Sequence, residues 1–186
     1  MKWSTVFAVA TALFVTGTAG AQNAAKEPNA DAKRMQQLAQ DNLSEIEAGK
    51  VAVQKAQDPK VKEFAQKMVD DHTKLLDDLQ KLAQSKNVDL PTAPDAKHEK
   101  ALQKLQSQSG PKFDREYMKA MVKDHRQALK LVQRTAKSAK DADLKASAEQ
   151  AAPEIQDHLK MAQDLAKGEK RSASGQTRES AQAGAR

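Results

Sequence analysis

The sequence EFAQKMVDDHTKLLDDLQKLAQS of residues 63–85 returns, without a gap, as EYMKAMVKDHRQALKLVQRTAKS at residues 116–138. The two segments share nine of 23 residues, including a methionine, a valine, an aspartate and a histidine in the same order. Their apolar residues recur every three to four positions, which is the period of an amphipathic α-helix. The repeat therefore predicts two equivalent helices in an all-α protein.

The same period continues outside the repeat and predicts four long helices. We expect these helices at residues 31–57, 59–85, 112–138 and 142–167. Pro59 separates the first two, because proline disfavours the helical conformation of the residue before it and favours the first position of a helix. A weakly amphipathic stretch at residues 95–108 predicts a short extra helix on the long connection.

The predicted order is two helices joined by a tight corner, then a long connection, then two more helices joined by a tight corner. This order is that of a four-helix bundle. With one long crossover this is the ferritin-like connectivity. A simple up-down-up-down bundle, with an irregular crossover loop, is the alternative that the sequence leaves open. The repeat predicts equivalent buried layers at Leu76 and Leu79 in one helix and at Leu129 and Val132 in the other. Pro153 is expected to kink the last helix.

Four runs of the chain carry a resemblance to a known family: IEAGK (46–50), VKEFAQKMVDDHTK (61–74), FDREYMKAMVKDHRQAL (113–129) and HLKMAQDLA (158–166). They resemble an exported bacterial ferritin-like family of unknown function, domain of unknown function 4142, whose members are labelled "predicted outer membrane protein". The resemblance covers residues 31–167. It implies a helical bundle in the cell envelope, with no established activity.

Three of the four histidines directly follow an aspartate and lie on the apolar face of their helices: His72, His125 and His158 after Asp71, Asp124 and Asp157. Glu45 and His72 both lie 13 residues from the corner between the first two helices, which is roughly 20 Å at ~1.5 Å per residue. His125 and His158 lie 16 and 17 residues from the other corner. We therefore expect Glu45 and the three histidines to meet in one layer, with the aspartates as their hydrogen-bond partners. His98, on the crossover, has no predicted role.

Such a layer has two interpretations. Histidine nitrogens and a carboxylate suit a transition metal such as zinc, copper or iron. The di-iron enzymes with this connectivity carry Glu-x-x-His on two helices, whereas the residues three positions before these histidines are Val69, Val122 and Ile155. This argues against a di-iron oxidase, and we identify no catalytic residues; whether the protein is an enzyme stays open, with a non-enzymatic role favoured. The other interpretation is a structural layer, in which each imidazole hydrogen-bonds a carboxylate of a neighbouring helix.

The composition narrows the class of protein. The chain has 186 residues, no cysteine, 30% charged residues and a formal net charge of +6. Absence of cysteine excludes disulfides, thiolate nucleophiles and iron–sulfur clusters. Positive and negative residues alternate and aromatic residues are only 3% of the chain, so we expect no nucleic-acid partner, and at most weak attraction to the anionic envelope surface.

The first 21 residues predict export. Lys2 is followed by an apolar stretch around residues 6–15 and by Ala19-Gly20-Ala21, which is the anatomy of a cleavable signal peptide. Cleavage before Gln22 would place the mature protein in the periplasm or outside the cell, with outer-membrane association also open. Residues 22–30 are then expected to form a flexible leader, residues 31–167 the bundle domain, and residues 168–186 a disordered tail.

Together these patterns favour an exported helical-bundle protein with a structural, stress-related or binding role in the envelope. The alternative is a ferritin-like protein that binds a transition metal in the core of the bundle through Glu45, His72, His125 and His158.

Overall fold

The computed structural model describes residues 29–183, with side chains described up to Glu169. This part of the chain forms five helices: α1 (Ala30–Lys55), α2 (Pro59–Ser85), α3 (Ala96–Gln106), α4 (Gly110–Ser138) and α5 (Ala142–Ala183). The predicted all-α fold is confirmed. The predicted signal peptide and residues 22–28 of the predicted leader lie outside the described residues.

Helix starts follow the local sequence. The side chains of Asn29, Asp58 and Asp95 each accept a hydrogen bond from a backbone N–H of the first turn of α1, α2 and α3, which satisfies donors that have no partner inside the helix. Pro59 occupies the first turn of α2, where its missing N–H costs nothing. These caps place the helix starts within two residues of the predicted positions.

Hydrogen bonds at the two ends of the bundle establish the helix order. At one end, the carboxylate of Asp114, at the start of α4, accepts from the backbone N–H groups of Gln57 and Asp58 in the α1–α2 corner. At the other end, Asp31 at the start of α1 accepts from the N–H groups of Lys140 and Asp141 in the α4–α5 corner. Helices α2 and α4 therefore run in the same direction, and the simple up-down-up-down order is excluded.

The four long helices pack as two antiparallel hairpins. Helix α1 packs mainly on α2 and α4 mainly on α5, with smaller α1–α4 and α2–α5 contacts, so that α2 and α4 are diagonal to each other. A two-fold axis along the bundle exchanges two parallel, diagonal helices. This is the relationship that the sequence repeat implies. Helix α3 lies on the crossover and contacts α1 and α4.

The core follows the repeat at three of the four predicted positions. Leu76, Leu79 and Val132 are buried. Leu129, which aligns with Leu76, is only half-buried, so the prediction of fully equivalent layers is wrong at this position. It packs against the small cluster of Val132, Ala148 and Ile155, where alanine neighbours cover less of its surface.

Helix α5 is longer than the sequence suggested. We expected it to end near Lys167, before a disordered tail, but the structure carries it to Ala183, through Gly168. Alanine, glutamate, glutamine, lysine and arginine form most of residues 168–183, and these residues have high intrinsic helix propensity even without an apolar face. The helix also continues through Pro153. Within the described residues, no helix combines the length and apolar character needed to span a membrane.

Candidate metal centre

Three histidines from three helices meet in the middle of the bundle. His72 on α2, His125 on α4 and His158 on α5 are buried, and each pair of their rings has a centroid separation of 5.4 Å. The Nε2 atoms of His72 and His125 are 3.4 Å apart. One ring nitrogen from each histidine lies within 4.8 Å of those of the other two. The histidines therefore form a compact triangle with nitrogens facing inward.

The outward nitrogen of His72 is hydrogen-bonded to a side chain of helix α1. Its Nδ1 is 2.8 Å from Oδ1 of Asn42, while Nδ2 of Asn42 donates to the carbonyl of Leu38 at 2.8 Å. The second bond fixes which end of the amide faces the histidine. Because an amide oxygen only accepts, Nδ1 of His72 carries the proton and donates it.

The outward nitrogens of the other two histidines also face acceptors. Nδ1 of His125 is 3.0 Å from the carbonyl oxygen of Met121, one turn earlier in α4. Nε2 of His158 is 2.8 Å from Oδ2 of Asp71 on α2. A carbonyl and a carboxylate can only accept, so these two nitrogens also donate. Acceptors behind a histidine commonly fix its tautomer and ring orientation in metal sites.

It follows that each of the three histidines keeps one nitrogen with a free lone pair. A neutral imidazole carries one proton, so Nε2 of His72, Nε2 of His125 and Nδ1 of His158 are unprotonated. Nδ1 of His158 is buried and has no hydrogen-bond partner among the described residues. The 3.4 Å between the first two atoms matches the edge of a tetrahedron around a metal with ~2.0–2.1 Å bonds, about 3.3–3.4 Å.

Burial keeps this triangle uncharged. Removal from water lowers the pKa of His72 well below its usual value, and the neighbouring histidines lower it further. Burial lowers the pKa of His125 from 6.5 to about 4. It also lowers the pKa of His158, although the Asp71 carboxylate opposes that shift. At neutral pH the three rings are therefore in the form that binds a metal.

Glu45 lies beside the triangle rather than in it. Its Oε1 is 3.7 Å from Nδ1 of His125, the outward nitrogen, and it is not among the atoms that share the 4.8 Å group. Oε2 is buried without a hydrogen-bond partner in the described part of the chain. Burial raises the pKa of Glu45 well above 4.5, and the charges of Asp124 and Asp41 add to the shift. The expected layer therefore holds three histidines, with Glu45 beside them and its pKa raised by burial.

Of the three aspartates that precede the histidines, Asp71 accepts a hydrogen bond from a histidine of another helix, His158, as expected for an aspartate that faces away from its own neighbour. Asp124 pairs with Lys123, and its side chain is 41% exposed. Asp157 is exposed. The acceptors for His72 and His125 are instead Asn42 and the Met121 carbonyl, which the sequence pattern did not predict. Asn42 could have been found as a polar residue on the apolar face of α1.

His98 takes no part in this group. It lies on α3, where Nδ1 is 2.7 Å from Oδ1 of Asp95, the residue that caps the helix. The second group of possible metal ligands in the described residues consists of Asp71, Glu154 and His158, of which only His158 is buried.

The fold and the site define a four-helix bundle with a buried triangle of neutral histidines. The family model described as "Domain of unknown function (DUF4142)" matches residues 16–165. The chain belongs to this family, as its resemblance implied. No curated protein sequence matches the chain.

A solved structure shares the fold. It is described as "Crystal structure of DUF305 fragment from Deinococcus radiodurans", and its TM-score with this chain is 0.65. The sequence identity is 10%, over 73% of this chain and 94% of that one. At this identity the likeness concerns the helical fold alone.

Proposed function

We propose that this protein binds one divalent first-row transition metal ion at His72, His125 and His158. The observation that carries the proposal is that one ring nitrogen of each histidine lies within 4.8 Å of one ring nitrogen of each of the other two, while every ring also donates from one nitrogen to a fixed acceptor. A bound ion would make the protein a sequestering or sensing protein of the bacterial envelope. The predicted signal peptide supports the envelope location.

A purely structural layer explains the site less well. A structural histidine normally uses both ring nitrogens in hydrogen bonds when it is buried. Here the inward side holds three acceptors, and the described residues supply no donor to Nδ1 of His158. Two of the acceptors face each other at 3.4 Å, where their lone pairs repel. A cation at the centre would convert that repulsion into three bonds.

The ligand chemistry favours zinc or copper. Imidazole nitrogen suits zinc, copper, iron and nickel, and affinity for a given nitrogen site rises toward copper. Three protein ligands leave a fourth coordination position for water or for another small ligand. Glu45 and His72 both line one cavity, of about 440 Å³.

The test is metal binding by protein prepared without a histidine tag. We expect calorimetric titration of the apo protein with Zn²⁺ or Cu²⁺ to give one site per chain. At a free metal concentration of 100 times the dissociation constant, binding only to the folded state adds ~2.7 kcal/mol to the free energy of unfolding.

Two variants make this test specific. His125→Leu should abolish the site while α4 persists, because the Met121 carbonyl keeps its helical hydrogen bond. His98→Ala removes the histidine outside the triangle and should bind the metal as the wild type does. Far-ultraviolet circular dichroism verifies that both fold. If the wild type shows no binding or stabilisation with any first-row metal, the triangle is a structural layer.

A further inference from the structure

Two cavities of opposite charge border the histidine triangle. One is a cavity of about 530 Å³ on the α2–α5 side, with His158 in its lining. The other, of about 440 Å³, lies between α1, α3 and α4 and has His72 and Glu45 in its lining. We call them the α5 mouth and the α3 mouth. They are two candidate routes by which a metal ion could approach the triangle.

The α5 mouth is negative. Glu154, Asp157 and Asp164 line it, opposed by Lys67 and Lys160. Asp71 adds a further carboxylate, held 2.8 Å from Nε2 of His158. Such a negative opening with low-dielectric walls concentrates cations.

The α3 mouth has the opposite balance. Its four basic residues are Lys97, Lys123, Lys130 and Arg134, and its charged carboxylates are Asp41 and Asp124. Even with Glu45 counted as a third acidic residue, the basic residues of this lining are in excess by one. A divalent cation is therefore repelled at this opening and attracted at the other.

Ligand atoms of the α5 mouth are also close enough to hold an ion. In this group Asp71 and Glu154 are the available ligands, each with one oxygen within 4.8 Å of the other and of a ring nitrogen of His158, whose Nε2 carries a proton. The ammonium of Lys67 already occupies this position, 2.6 Å from Oδ2 of Asp71, and its side chain is 46% exposed. A flexible, half-exposed lysine can leave this position for solvent when a divalent ion arrives.

His158 connects this group with the triangle. The ring is fully buried, its Nε2 is 2.8 Å from Oδ2 of Asp71 at the mouth, and its Nδ1 is buried with no hydrogen-bond partner in the described part of the chain. The ring thus forms the boundary between the outer carboxylates and the buried site.

We propose that a divalent transition metal ion is loaded through the α5 mouth, where the carboxylates of Asp71 and Glu154 hold it beside His158 before it passes to the triangle. This inference rests on the proposed function. Asp71 also orients His158, so the loading role is tested on Glu154 and its exposed neighbours instead.

The experiment is stopped-flow binding of Co²⁺ to the full chain at low ionic strength, followed by the visible absorption of the nitrogen-bound ion. The test variant combines Glu154→Gln, Asp157→Asn and Asp164→Asn. The matched control combines Asp41→Asn and Asp124→Asn at the α3 mouth. Both sets change exposed or half-exposed groups and leave the triangle intact.

We expect the association rate constant of the test variant to fall about tenfold, the lower end of the range for electrostatic steering. The difference should shrink in high salt. The dissociation rate constant should fall with it, because a loading site lowers the barrier in both directions, so the equilibrium affinity changes little. The control should bind Co²⁺ at least as fast as the wild type.

Three results overturn the proposal: a test variant that loads at the wild-type rate, a control that slows as much, or a test variant that loses equilibrium binding. The last would make Glu154 a ligand of the final site. His125→Leu in the same assay separates the two proposals, since it should lose the absorption band at every cobalt concentration. If the wild type itself shows no cobalt absorption band, both the loading route and the proposed function are wrong.

Discussion

The two copies of the repeat place the same residues in the same positions of parallel helices, yet they use them differently. His72 donates to Asn42 on α1, whereas His125 donates to the backbone of its own helix. Asp71 reaches across to His158, while its counterpart Asp124 pairs with Lys123 at the surface. The local motif decides that a histidine faces the core. The neighbouring helix decides what that histidine and its aspartate bind.

The largest expected difference between the copies concerns the aligned leucines. Leu76→Ala should lower the free energy of unfolding by about 2–5 kcal/mol, the usual range for a buried leucine. Leu129→Ala should cost less than half as much, because Leu129 is half-buried. Urea denaturation of both variants checks this. Equal losses would show that the two layers are equivalent after all.

The second expected effect is a loss of stability of the metal-free protein in acid. The pKa of His125 is about 4 in the folded protein, against 6.5 when unfolded, so the unfolded chain takes up a proton that the folded protein does not. The contribution of His125 to the free energy of unfolding is complete above pH 6.5. It falls by about 3 kcal/mol as the pH falls toward 4. His72 and His158 act in the same direction, whereas the raised pKa of Glu45 acts in the opposite direction above pH 4.5.

Urea denaturation between pH 4 and pH 7.5 measures this slope. His125→Leu should reduce the number of protons taken up on unfolding by about one. A variant slope identical to that of the wild type would mean that His125 titrates normally in the folded state. That result would also contradict the inference that burial keeps the histidine triangle uncharged.

The matched aspartates give the third test. Asp71→Ala removes the acceptor behind His158 and should weaken metal binding about 10- to 100-fold, the usual effect of removing such a partner. Asp124→Ala should leave the affinity within about twofold, because Asp124 makes no hydrogen bond to a histidine in the described structure. Competition against a chromophoric chelator measures both. A stronger effect of Asp124→Ala would contradict the assignment.

The smallest effect is expected from the end of the chain. Residues 170–186 contain no leucine, isoleucine, valine, methionine or aromatic residue. Deleting them should change the free energy of unfolding by less than about 0.5 kcal/mol, in contrast to Leu76→Ala. Thermal melting of the truncated protein checks this. A loss of stability comparable to that of Leu76→Ala would show that the folded domain extends into residues 170–186.

Most of the fold can be predicted from the sequence, because helix formation depends on residues that are close together in the chain. The 3.6-residue period predicts which residues are helical, and the caps at Asn29 and Asp58 place the helix starts. The repeat also predicts that His72 and His125 point inward at one level. Even the meeting of three histidines follows from helix rise and from distances along the chain to the corners.

Other features depend on contacts between residues far apart in the chain. The carboxylates of Asp31 and Asp114, which bind the corner of the opposite hairpin and so set the helix order, show no periodic signal of their own. The positions of Asn42, Asp71 and Glu45 around the histidines depend on the relative rotation and height of neighbouring helices. Changes of a few ångströms in that packing decide whether a carboxylate is a hydrogen-bond acceptor, a buried acid or a surface charge. The sequence thus determines the helices and their inward faces, and the tertiary structure determines the tautomer and the partner of each histidine.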